Sequence, residues 1–242
     1  MLLAIDIGNT SIKFGLFGES GLARHGRVKG NDAYTLIEAV GDETVTRIAL
    51  SSVAPSVTDR LIPMLASQYN TSVLLAGRDL SYGIEIQCDE PETIGADRLL
   101  NAIAAYARTK CATVVVDVGS AITVDFVSAR GSFVGGAIAP GPGIMLQALH
   151  RQTELLPNVA FEKPDSPVGH NTKEALLSGA YWGTAGLVER LVSEIAREQG
   201  GKPTVLVTGG GGETIAAEMQ GRPDYIPALT LEGLSIIASR GR

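Results

Sequence analysis

Two aspartates stand where buried strands should end. LLAIDIGNTSIKFGLF (residues 2–17) and TVVVDVGSAITVDFV (residues 113–127) each close an apolar run on Asp-x-Gly, then add a hydroxyl residue and a second strand-like run. A carboxylate at the end of an apolar strand is costly unless a cation or hydrogen-bond donors compensate it. In the first copy Asn9, Thr10, Ser11 and Lys13 place donors around the turn. Gly8, lacking a Cβ, is expected to let the backbone turn sharply and bring its N–H groups close to an anion. Backbone amides holding a phosphate, with Asp6 holding Mg²⁺ directly or through water, would use all of these residue types. This is not a Walker loop, because GxxxxGK[ST] is missing and strand rather than helix follows. A β-hairpin whose Asp and Gly merely make the turn would use the same letters. The second copy, with Asp117, Gly119 and Ser120, weighs against that simpler reading.

Three further features carry possible chemistry. In TVLVTGGGG (Thr204–Gly212), Gly209 and Gly210 directly follow a strand, where bulky side chains would block a flat ligand; a flexible loop is the plain alternative. In GADR (Gly95–Arg98) an acidic residue opens a helix, which by itself only suits the helix dipole. His25, His150 and His170 lack metal-ligand spacing, and Ser51–Ser52 lacks a GxSxG context.

The elements that hold these residues read as α/β. RIALSSVA (Arg47–Ala54) and SVLLA (Ser72–Ala76) have the pattern of buried strands, and residues 56–69 between them that of a helix with Val57, Leu61, Met64 and Leu65 on one stripe. DRLLNAIAAYAR (Asp97–Arg108) predicts a helix entered through Gly95. GSFVGGAIAPGPG mixes strand with turns. A long helix is expected from about Thr172 to Glu198, started by an Asn171…Glu174 pair, and LTLEGLSIIASR predicts a closing helix. The repeat divides the chain into halves, 1–112 and 113–242.

Composition narrows the function classes. Of 242 residues, 45% are apolar, enough for a sizeable core. Net charge is −6 with no basic run, which argues against a nucleic-acid groove or an anionic membrane surface. Cys88 and Cys111 form no CxxC pair, so neither a disulfide framework nor a zinc site is expected. No apolar stretch approaches the ~18 residues that span a bilayer. The start lacks a basic region, and Asp6 interrupts its apolar run, so a signal peptide is not expected. The expectation is a cytoplasmic protein.

The combination resembles the actin, sugar kinase and Hsp70 superfamily, and within it type III pantothenate kinase. The stretches that carry the resemblance are DIGNTSIKFGLF, DEPETIGADRLLNAIAA, VVVDVGSAITVDFV, GSFVGGAIAPG with TELLP, GHNTKEALLSGAYWG, VTGG and LTLEGL. It implies two related actin-like (ribonuclease H-like) domains packed around a nucleotide cleft, and transfer of the ATP γ-phosphoryl group to pantothenate. By resemblance, Asp6, Ile7, Gly8, Asn9, Thr10, Ser11, Ile12, Lys13, Ser120, Gly209 and Gly210 bind ATP, with Mg²⁺ at Asp6. Asp97 becomes the catalytic base, and Gly95, Ala96, Arg98, Thr172 and the Cys88 position line the pantothenate site. Asp117 becomes the ligand of a monovalent cation, K⁺ or NH₄⁺. Asp125, apart from the resemblance, is a further carboxylate beside the second hairpin and is expected at most to support the site without touching its ligands. Thr172 also suits a helix N-terminus, and both roles can hold. Cys88 departs from the pattern, since many members have a substrate-contacting tyrosine there. The resemblance also implies a homodimer, with Gly179, Gly183 and Gly186 of the long helix at its interface. The rivals are another small-molecule kinase of the superfamily and a nucleotide-binding regulatory protein without catalysis.

Overall fold

A computed structural model describes residues 1–30 and 32–240. The chain forms two compact units. The first holds Met1–Arg108, Gly131–Phe133 and residues 228–240, and the second holds Thr109–Arg130 and Val134–Pro227. Against the expected division at residues 112 and 113, the closing helix and a three-residue piece therefore return to the first unit.

In the first unit β1 (Leu2–Ile7), β2 (Ser11–Gly18) and β3 (Gly21–Lys29) make an antiparallel meander. β4 (Arg47–Ser52) pairs parallel to β1, and β5 (Val73–Leu75) parallel to β4. The second sheet is built from β6 (Thr113–Val118), β7 (Ala121–Val127), β8 (Phe133–Pro140), β9 (Thr204–Thr208) and β10 (Asp224–Tyr225). The sheet orders are β3-β2-β1-β4-β5 and β10-β9-β6-β7-β8. Read outward from the Asp-x-Gly strand they are the same: two following strands on one side, and two later, parallel strands on the other. The repeat seen in the sequence is thus a repeat of topology.

The helices are α1 (Ala33–Val40), α2 (Pro55–Tyr69), α3 (Ala96–Thr109), α4 (Pro142–Gln152), α5 (Thr172–Glu198), α6 (Gly212–Ala216) and α7 (Leu229–Arg240). Alternation of the strands sends Leu3, Ile5, Ile7, Ile48 and Leu50 to one face of the first sheet, where α1 and α2 cover them. Ala4 and Ala49 point the other way, against Leu100 and Ile103 of α3 and Leu231, Leu234 and Ile237 of α7. Each fully buried aliphatic side chain in that layer contributes about 1.5–3 kcal/mol. In the second sheet Val114, Val116, Val118, Ile122 and Val124 pack with Val188 of α5 and Ile215 of α6. α5 begins where Asn171 Oδ1 accepts the Glu174 N–H at 3.0 Å, while Glu174 Oε2 accepts the His170 N–H at 2.7 Å. Both interactions satisfy amides that the helix itself leaves unpaired.

One buried polar contact joins α3 to α7. Thr230 Oγ1 donates to Asn101 Oδ1 at 2.8 Å, with both residues 2% exposed. Replacing Thr230 by Val keeps the shape and removes the donor. It should lower unfolding free energy by about 1 kcal/mol or more in a denaturant titration, whereas Ser239→Ala, on the exposed face of α7, should change it little.

Candidate active site

In the first turn the ladder ends at the pair Ile7↔Ile12, and the Gly8 N–H donates to Ser11 O at 3.0 Å. Ile7 and Ile12 send their side chains into the core, so only their backbone can serve a ligand. Asn9 and Thr10 are exposed and Ser11 is buried. Gly8 does not take a positive φ, and a Cβ there would lie 3.3 Å from Ser11 O. Glycine is therefore needed for modest clearance and not, as expected, for an unusual turn conformation. Asp6 is 7% exposed and stands opposite Lys13, whose Nζ is 3.9 Å from Asp6 Oδ2.

Asp97 sits in the first turn of α3, where its charge suits the helix dipole. Its Oδ1 accepts the Arg98 N–H at 2.8 Å. A Cβ on Gly95 would lie 2.6 Å from that same oxygen. The glycine of GADR therefore makes room for the folded-back carboxylate two residues later. The Arg98 guanidinium lies 5.4 Å from the centre of the Phe133 ring, a cation–π contact. Ile86 bridges Phe133, and the Gln87 N–H donates to Phe133 O at 2.9 Å, which brings half-buried Cys88 into the same neighbourhood. Sequence reasoning missed Tyr82. Burial, and then the negative charge of Asp97, push its phenol above the ordinary tyrosine value. A Cβ on Gly77 would come within 3.1 Å of the Tyr82 hydroxyl, and Gly77 directly follows β5 and Ala76. Tyr82 therefore stands against Gly77, just beyond the end of β5, and within electrostatic reach of Asp97.

In the second unit Asp117 pairs with Thr123 on β7 and with Thr208 on β9. The ladder ends at Val118↔Ile122, and the Gly119 N–H donates to Ala121 O at 3.0 Å, so this turn is shorter than the first. The Gly141 N–H donates to Ser120 O at 2.9 Å. Gly209 is buried with φ +89°, and a Cβ there would collide with Asp117 Oδ1 and lie 2.6 Å from Val118 O. No other residue type meets both demands. Gly210 is exposed beside it. The structure thus brings Gly209 to Asp117 within one unit. Thr172 is the exposed first residue of α5, and Asp125 is buried on β7.

The donor set bears on which metal fits. Among the described residues, no group of three or more His, Cys, Asp or Glu could hold an ion. An all-protein cage is therefore a poor fit, while Mg²⁺ held by one carboxylate, water and substrate phosphates suits Asp6. A cavity of about 520 Å³ lined by Glu189, Arg190, Lys202 and Met219, among others, contains none of the residues expected to bind ATP or pantothenate, although Gly186 of the expected interface lines it.

A sequence model of type III pantothenate kinase matches residues 2–194. The chain is 38% identical to a type III pantothenate kinase of Anaeromyxobacter sp. (strain K), with all of both chains covered. It is 36% identical to that of Moorella thermoacetica, with 99% of each covered. The chain belongs to the type III pantothenate kinase family. It is accordingly a kinase, a phosphotransferase. Two solved structures share the fold. A Baf family protein from Campylobacter jejuni has TM-score 0.60, 22% identity and 98% coverage of both chains. A ROK family glucokinase from Streptomyces griseus has TM-score 0.55 and 10% identity, covering 98% of this chain and 99% of its own.

In this kinase Gly95→Ala should retain the helical circular dichroism of the wild type, because the added methyl meets only the Asp97 carboxylate. Turnover should fall about a hundredfold if that carboxylate must be positioned for chemistry. Unchanged turnover would show that its folded-back position is dispensable.

Proposed function

We propose that the protein transfers the γ-phosphoryl group of ATP to the primary hydroxyl of pantothenate. The products are 4′-phosphopantothenate and ADP, the first step toward coenzyme A in the cytoplasm. The observation that carries this reading is the Asp97 carboxylate, held over Gly95 and by the Arg98 N–H in a chain that matches the family along its length.

Such transfer depends on positioning and charge stabilisation more than on covalent work by the protein. Asp97 orients the substrate hydroxyl and accepts its proton as the oxygen attacks. The backbone of residues 7–12, with Asn9, Thr10, Ser11 and Lys13, binds the ATP phosphates, and Ser120 is a further phosphate-binding residue. Mg²⁺, when bound, neutralises charge that builds on the phosphate oxygens, and Asp6 holds it directly or through water. Asp117 holds a monovalent cation, and Gly209 and Gly210 contact adenosine. Ala96, Arg98, Thr172 and Cys88 line the pantothenate site; the thiol replaces a ring and phenol common at that position, and Arg98 offers its guanidinium to a carboxylate or phosphate.

Expected from this scheme is ADP release that requires pantothenate, Mg²⁺ and K⁺ and is lost when Na⁺ is the sole monovalent cation. Asp97→Asn should lower turnover by about 10²–10⁴ while nucleotide binding and the unfolding midpoint stay near wild type. Near-normal turnover in that variant would remove Asp97 as the base. Release with another acceptor would favour a different small-molecule kinase, and nucleotide binding without any release would favour the non-catalytic reading.

The chain acts as a homodimer in this proposal. Gly179, Gly183 and Gly186 lie along the exposed side of α5, and a Cβ at any of them would meet nothing within 4 Å. Trp182 is exposed between them, and Ile144 and Leu149 of α4 are also exposed. Close helix approach across small residues would account for this row. Sedimentation should give a dimer for the wild type and a folded monomer for Gly183→Arg; a wild-type monomer at micromolar concentration would refute the assembly.

A further inference from the structure

Ser51 is fully buried, and among the described residues its hydroxyl has no hydrogen-bond partner. Buried hydroxyls nearly always have one, so an orphan points to a water, ion or ligand that belongs beside it. Its neighbour differs: Ser52 Oγ accepts the Ala54 N–H at 2.9 Å.

Strand register says what stands next to the orphan. Ser51 pairs with Asp6 across the parallel β1–β4 ladder, and Lys13 pairs with Asp6 across the β1–β2 hairpin. Paired residues project from the same face of a sheet. The core shows which face: Ala4 and Ala49, two residues earlier on each strand, pack with Leu100 of α3, while Ile5 and Leu50 pack on the opposite side. Lys13, Asp6 and Ser51 therefore form a row on the α3 face, near the strand ends. The ladder holds beyond this row, since the Val53 N–H donates to Ile7 O at 3.0 Å.

We propose that Ser51 is a positioning residue for the divalent cation that accompanies the nucleotide. Its oxygen and the Asp6 carboxylate accept the two hydrogens of one cation-bound water. This inference rests on the reading of Asp6 given above. A water bound to a metal has committed a lone pair to the ion and needs acceptors, and a carboxylate beside a hydroxyl supplies two. The hydroxyl adds an acceptor without adding charge, which a second buried carboxylate could not do. The second unit repeats the pairing, Asp117 standing across the parallel ladder from Thr208, another buried hydroxyl, although that one is not orphaned as Ser51 is. The hydroxyl beside the Asp-x-Gly carboxylate is thus a feature of both copies.

The test is calorimetric titration of the whole protein with ADP at a series of Mg²⁺ concentrations, for wild type, Ser51→Ala and Ser51→Thr. The alanine variant should unfold at the wild-type temperature or slightly above it, because an unsatisfied group has been removed. It should bind ADP without Mg²⁺ as the wild type does. The Mg²⁺ concentration that half-maximally strengthens ADP binding should rise about tenfold, the equivalent of one hydrogen bond near 1.4 kcal/mol. Ser51→Thr keeps the oxygen and should restore the wild-type dependence; if its extra methyl prevents folding, the alanine variant decides alone. An unchanged Mg²⁺ dependence in Ser51→Ala overturns the proposal, as does an equal loss of ADP affinity with and without Mg²⁺, which would mark a purely structural role. A wild type whose ADP binding ignores Mg²⁺ refutes the reading of Asp6 itself, and the proposal with it.

Discussion

A carboxylate at the end of a central strand is the constraint around which each sheet is arranged. Asp6 and Asp117 lie on the strand that has a hairpin partner on one side and a parallel partner on the other. Neither residue can escape to an edge, so each neighbouring strand must present something compatible at the paired position. The hairpins present Lys13 and Thr123; the parallel strands present Ser51 and Thr208. All four are polar positions in mostly apolar strands. They become intelligible once the carboxylate is taken as fixed.

The same constraint reaches α3. The face that carries Asp6 also carries Ala4 and Ala49, and these small residues let Leu100 and Ile103 approach the sheet closely. Asp97 lies three residues before Leu100, on the same helical stripe, so packing that anchors the helix also fixes the carboxylate at its start. α7 reinforces this arrangement from the far end of the chain, through Leu231, Leu234 and the Thr230–Asn101 contact. An acidic residue in a first turn stabilises its helix whether or not it does chemistry. What distinguishes Asp97 is Gly95, whose missing Cβ is filled by the aspartate's own oxygen. A helix start needing only negative charge has no use for that glycine.

Most of the elements were legible because their signals are local. Alternating and continuous apolar runs marked β1, β2, β4 and β5. The Val57, Leu61, Leu65 stripe marked α2, and the Asn171…Glu174 pair marked the start of α5. β3 was passed over because Arg24, His25 and Arg27 give it no apolar face, its neighbour β2 supplying the register. α4 was hidden by its own entrance: Pro140, Gly141 and Pro142 look like a turn, although proline in a first helical turn is favourable. The return of residues 228–240 to the first unit is set by contacts with β1, β4 and α3, far away in sequence. Ser51 and Tyr82 had no signal at all. A serine in an apolar strand and a tyrosine in a loop acquire meaning only through register and through the carboxylates beside them.

The two copies also differ in ways that bear on what each can hold. The first turn is longer, which adds a backbone N–H to its rim, and it sets an ammonium group opposite its carboxylate. The second turn is shorter, and its register places a hydroxyl, Thr123, where the first has Lys13. An ammonium group beside the exposed turn residues Asn9 and Thr10 would suit an anionic group. The hydroxyl at the same register position brings no charge of its own to Asp117. Gly209 closes off one side of Asp117, since its backbone passes where any side chain would strike the carboxylate. The copies thus share a carboxylate and the glycine two residues after it, and differ in what faces the carboxylate, an ammonium group in one and an uncharged hydroxyl in the other, and by one residue in the turn.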